Sequence, residues 1–168
     1  MSINIDLQLA SGCSDIPSLI DMQGWLGVLM SELQLVDKET TVRVVDTAEI
    51  QQLNSQFRGK DKATNVLSFP FEMPSITLPN DMDMDMDMDM EQMMPNFLGD
   101  IVICAPVVKQ EATEQNKLIQ DHWAHMLVHG TLHLIGYDHI EEQDANEMEG
   151  IEISVLKKLA IDDPYQNH

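Results

Sequence analysis

Cysteine is nearly missing from this chain, and positive charge is scarce. The two cysteines, Cys13 and Cys104, stand far apart and outside any C-x-x-C pair. That spacing excludes a zinc ribbon and offers no disulfide framework. No apolar run approaches the roughly 18 residues needed to span a bilayer. The opening MSINIDLQLA lacks a basic patch followed by an apolar core and a small-residue cleavage site. The expectation is a soluble cytoplasmic protein with no membrane partner. Nine Lys and Arg face 29 Asp and Glu, a formal charge of −20, and such a surface repels nucleic acid and membranes alike.

What is present argues for a folded domain. Apolar residues make up 43% of 168 positions, too many for general disorder. A chain of this size fits one domain, residues 1–168, burying roughly 70% of its unfolded surface. Some of the acidity is local: Asp81, Asp83, Asp85, Asp87, Asp89 and Glu91 fall in one short stretch, where residues 81–90 are five Asp-Met pairs. The period of two imitates a strand, yet Asp is depleted in strands and a row of like charges on one face repels itself. With Pro74, Pro79 and Pro95 around it, the segment at about 79–95 is read as an acidic low-complexity surface loop. Arg58, Lys60 and Lys62 form the only tight basic cluster.

Residues 3–10 alternate apolar and polar, as a half-buried strand does. A helix is predicted over 15–34, capped by Asp15 with Pro17 in its first turn; Leu19, Met22, Leu26, Leu29, Met30 and Leu33 recur at helical spacing. Residues 40–45 are β-branched and strand-like. Asp46 and Glu49 resemble a capping box opening a helix through Phe57. Strands are predicted at 65–71 and 98–104, the latter well buried. Helical sequence follows over 106–134, with a break near 119, and over 141–159. The expected fold is α/β (α+β), with helices on a mixed sheet of about four strands.

The chemistry concentrates in His129-Gly-Thr-Leu-His133-Leu-Ile-Gly136-Tyr-Asp-His139. Two histidines four apart share one helical face, about 6 Å apart along the axis, so both can meet one ion at about 2.0–2.1 Å. Gly136 suits the left-handed conformation that ends a helix and turns the chain back, aiming His139 at the same point. Three protein ligands leave a fourth position open, the arrangement of a catalytic zinc whose water is acidified towards about pH 7. One Zn2+ on His129, His133 and His139 is therefore expected, on a central helix and the turn after it. His122 and His125 are read as packing or capping locally, His125 also being one turn from His129 and so able to support a ligand. His168 is a tail residue.

The spacing is that of H-E-x-x-H-x-x-G-x-x-H zinc proteases. Here Gly130 stands where their general-base Glu belongs, which counts against peptide hydrolysis.

The sequence resembles the YbeY family, bacterial endoribonucleases of ribosomal RNA maturation. The resemblance is carried by HGTLHLIGYDH at 129–139, RGKDKATNVLSFPFE at 58–72 and LGDIVIC at 98–104, supported by HWAHMLV and the terminal DDPY. It implies zinc on His129, His133 and His139, a metal-bearing helix packed on a four-stranded mixed sheet, and Arg58 as an active-site residue. A guanidinium suits that role, because it holds two phosphoryl oxygens as charge builds on them. Lys60 and Lys62 fit guidance of the RNA backbone. Thr64, Asn65 and Ser68 either orient the arginine or the substrate or form a structural turn and strand start, and Asp138 either holds an imidazole or takes a proton.

The expected activity is that of a single-strand-specific, zinc-dependent endoribonuclease in ribosomal RNA processing. Attack by activated water, polarisation of a phosphoryl oxygen and 2′-hydroxyl attack all remain open to it. The acidic surface implies delivery by ribosomal or ribosome-assembly proteins. The rivals are a metal-dependent hydrolase of amide or ester bonds and a non-catalytic, metal-stabilised assembly factor.

Overall fold

Alternating and β-branched runs form strands, and the long helices at 19–33 and 119–135 fall where leucine and methionine recur at helical spacing. The computed structural model describes residues 3–71, 96–137 and 142–161. The Asp-Met segment read as a loop at about 79–95 lies outside them, as do Asp138, His139, His168 and the DDPY run. In chain order the elements are β1 (Ile3–Ala10), α1 (Leu19–Leu33), β2 (Lys38–Val45), α2 (Thr47–Arg58), β3 (Val66–Pro70), β4 (Phe97–Cys104), α3 (Ala105–Glu114), α4 (Ile119–Ile135) and α5 (Glu142–Lys158). One sheet runs in the order β1-β2-β4-β3. β1, β2 and β4 are mutually parallel, and β3 pairs antiparallel with β4. This is the α/β arrangement of helices on a four-stranded mixed sheet that the sequence predicts.

The side-chain alternation of β4 sorts two cores. Ile101 and Ile103 face the larger one with Val42, Val44, Leu26, Met30, Trp123, Leu127, Leu132 and Val155. Val102 and Cys104 turn the other way, against Val45, Leu67 and Ile50 of α2. The helix α4 is central: it packs on β3 and β4 and is flanked by α1, α3 and α5. Leu127 and Leu132 on it are fully buried, each contributing about 1.5–3 kcal/mol of transfer free energy. Cys13 and Cys104 are both free thiols. No helix among the described residues is long and apolar enough to cross a membrane.

Two predicted helix starts are corrected. Helix α1 begins at Leu19, not near Asp15: Ser18 is the N-cap, its Oγ accepting from the Asp21 N–H at 3.1 Å. Asp15 sits at φ 66, so it belongs to the turn before the helix. Asp46 does precede α2, but no capping box forms. Its carboxylate instead accepts from Ser11 Oγ and the Gly12 N–H, and Glu49 pairs with Arg43 at 2.6 Å. Partners outside the helix have outcompeted the local cap. The helical stretch after β4 divides at residues 115–118, close to the predicted break.

Candidate metal centre

Residues 122, 125, 129 and 133 recur at three and four, so α4 carries a stripe of four histidines along one face. Successive ring centroids stand 6.2, 6.2 and 4.6 Å apart. The stripe passes from the interior to the surface: His122 is 3% exposed and His125 8%, while His129 and His133 are half-buried.

At the outer end, His129 Nε2 and His133 Nε2 stand 3.1 Å apart. Two ligands of a tetrahedral ion at 2.0–2.1 Å would be about 3.3 Å apart. The other nitrogen of His129, Nδ1, lies 2.6 Å from Glu152 Oε1. An ionised Glu152 would only accept, which would put the proton of a neutral His129 on Nδ1 and leave the Nε2 lone pair for an ion. The donor set therefore fits a zinc-like ion. One donor atom from each of His125, His129 and Glu152 also lies within 4.8 Å of the others, so a His/His/Glu cluster able to hold a metal ion is present here. His139 lies outside the described residues. The turn that should deliver it begins as expected: Gly136 is left-handed at φ 115, and its N–H bonds Leu132 and His133 carbonyls.

Glu152 was not singled out from the sequence. It comes from α5, and its side chain is fully buried. The signal was available: Met148, Ile151 and Val155 form an apolar stripe on α5, continued by Leu159 just past its end, and Glu152 falls within this run. A glutamate on a buried face needs a partner. The second oxygen of Glu152 lies 3.8 Å from His125 Nε2, so His125 meets the carboxylate that holds His129 rather than packing only locally.

The inner end differs. His122 Nε2 lies 2.9 Å from Glu111 Oε1, and Glu111 also accepts from Asn65 Nδ2 at 3.1 Å. Burial pushes the His122 imidazole below its ordinary value, against the opposing pull of Glu111. Asn65 Oδ1 in turn accepts from the Val66 N–H at 2.7 Å. Asn65 thus forms the start of β3 rather than orienting an arginine.

Arg58 is the last residue of α2, followed by the left-handed Gly59. Its Nη2 donates to the Ser68 carbonyl at 2.9 Å, and its guanidinium carbon is 6.0 Å from the centroid of the Phe69 ring. Ser68 Oγ donates to the Gly130 carbonyl at 2.9 Å. Two hydrogen bonds thus link the exposed arginine to the residue after His129. Lys60 and Lys62 are exposed on the adjoining loop, where the Lys62 carbonyl accepts from Asn54 Nδ2.

Gly130 has a structural reason of its own. A Cβ there would lie 3.2 Å from Ser68 Oγ and 3.3 Å from both Ile101 Cγ2 and Val66 Cγ2. Position 130 faces the sheet at tight contact distance, so a larger residue there would require these side chains to give by a few tenths of an ångström.

Comparison with known proteins agrees with this architecture. The family model Endoribonuclease YbeY matches residues 20–160. The chain is 50% identical over 151 residues to Endoribonuclease YbeY of Alteromonas mediterranea, covering 90% of this chain and 85% of that protein. Its fold is similar to the solution structure of TM1509 from Thermotoga maritima, with a TM-score of 0.53 and 23% identity, over 98% of this chain and 99% of the other.

Proposed function

The chain belongs to the YbeY family of endoribonucleases, and we propose that it acts in ribosomal RNA maturation by cutting single-stranded RNA at the outer end of the α4 histidine stripe. The observation that carries this reading is the convergence of His129 Nε2 and His133 Nε2 at 3.1 Å, with Nδ1 of His129 already committed to Glu152. His139, beyond the Gly136 turn, would complete the ligand set. Zinc held by these residues would supply Lewis acidity and a usable water nucleophile near neutral pH.

The rest of the reaction falls to the protein. Arg58 spends one N–H on the Ser68 carbonyl and holds its remaining donors for the phosphoryl oxygens. It stabilises charge there as the phosphorus becomes five-coordinate. Lys60 and Lys62 steer the backbone of the RNA. The formal charge of −20 opposes capture of free RNA, which supports delivery by ribosomal or assembly proteins. Glycine at position 130, where a Cβ would be tight against Ser68, Ile101 and Val66, weighs against an amide or ester hydrolase, because the usual general-base glutamate is missing.

The test is cleavage of single-stranded ribosomal RNA fragments by the zinc-loaded protein, beside folded Arg58→Ala and His133→Ala. The parent is expected to cut, and Arg58→Ala to lose about 10²–10³-fold, with His133→Ala at background. Equal cutting by all three would overturn the site. If Arg58→Ala supports ribosome maturation while no preparation cuts RNA, even on ribosomes, the protein is an assembly factor.

A further inference from the structure

The most costly group in the described interior is the carboxylate of Glu152. Its side chain is 0% exposed, and an ionised carboxylate is held out of water only where donors meet it. Here the donor is His129 Nδ1 at 2.6 Å, with His125 Nε2 at 3.8 Å from the second oxygen. The helix that carries it is pinned independently. Ser154 Oγ donates to Glu32 of α1 at 2.8 Å, Lys158 pairs with the same carboxylate, and Met148, Val155 and Leu156 are buried. The position of Glu152 is thus set by the packing of α5, and the ring of His129 follows from it.

We propose that Glu152 is a positioning residue for the metal, locking His129 in the Nδ1-protonated form with Nε2 turned towards His133, and that it is not itself a ligand. The proposal rests on the metal reading of His129 and His133. The two nitrogens of an imidazole leave the ring by different edges, so an ion on Nε2 lies across the ring from Glu152. A charge-assisted bond to Nδ1 raises the basicity of Nε2 and removes the ring's freedom to rotate away. Glu152 meets His125 with its other oxygen, so a single carboxylate organises two turns of α4.

The experiment is zinc titration by chelator competition of the full chain, its Glu152→Gln variant and, as a control, His133→Ala. Co2+ ligand-field spectra are recorded for each at saturation. Glu152→Gln is expected to bind zinc about 10–100-fold more weakly while keeping the parent's Co2+ spectrum. An unchanged affinity overturns the proposal, and so does a spectrum showing that a ligand has been lost. If His133→Ala binds zinc as tightly as the parent, the metal reading itself fails and takes the proposal with it. The parent alone supplies a measurement that does not depend on the variant folding. Nitrogen-15 NMR of its histidines should find a proton on His129 Nδ1 with and without zinc, and an unprotonated Nδ1 overturns the assignment.

Discussion

On helix α4 the histidine–glutamate pairs of His122 and His129, about two turns apart, are inverted copies of one another. At the inner pair the imidazole is buried, with the His122 side chain 3% exposed, and its carboxylate reaches outward, Glu111 at 28%. At the outer pair the carboxylate is sealed, Glu152 at 0%, and the imidazole reaches outward, His129 at 24%. The chemistry of each bond is the same, and the order of burial decides its use. A buried ring tied to a half-exposed carboxylate fastens α3 to α4 and the start of β3. A buried carboxylate turns the far nitrogen of a half-exposed ring towards His133.

Exchanging the two ends should produce the largest contrast. His133→Ala is expected to abolish zinc binding and RNA cleavage without unfolding the chain. His122→Asn should cleave within a few-fold of the parent yet lose about 1–3 kcal/mol of stability in urea unfolding, from the broken buried pair. Comparable losses of cleavage in both variants would dissolve the distinction.

A second test probes the contact that carries the outer pair. Gly130→Glu places a side chain and a charge against Ser68, Ile101 and Val66. Overpacking and burial of an unpaired charge should together cost about 3 kcal/mol or more. A stable Gly130→Glu protein with peptidase activity would revive the protease reading.

The smallest effect sharpens the inner end. His122 titrates below its ordinary value of 6.5 because burial opposes its charge. The unfolded chain takes up that proton first as pH falls. The stability contributed by the neutral ring is therefore complete above about pH 6.5 and is lost as pH drops towards the lower folded value. Glu111, Lys117 and His125 are the charged or titratable neighbours that act on it. Unfolding free energies between about pH 7.5 and 5.5 should fall more steeply for the parent than for His122→Asn. Parallel slopes would mean that His122 is as easily protonated folded as unfolded.

The strands, the helices and the outer site were legible to different degrees. The β-branched runs of β2 and β4 and the stripe of α1 could be read directly, because side chains there report only which face is buried. Helix starts were less legible. Ser11 takes Asp46, and Arg43 takes Glu49; those partners lie on neighbouring strands or loops, which local spacing does not reveal. The pairing of His129 with His133 followed from a period of four. Glu152 did not, since its partner is 23 residues away on another helix and only the odd charge in the α5 stripe hinted at it.

The sequence by itself determined that α4 would present imidazoles in a row and that Gly136 would end it, because helical geometry makes both consequences of spacing alone. It also determined, through Gly130, that no general-base glutamate follows His129. Tertiary structure decided which histidines face outward and which carboxylate each one meets. It also decided that Arg58 reaches α4 through Ser68. Those relations depend on how α2, α3 and α5 pack around the sheet, and burial is a property of the packed chain rather than of any residue in it.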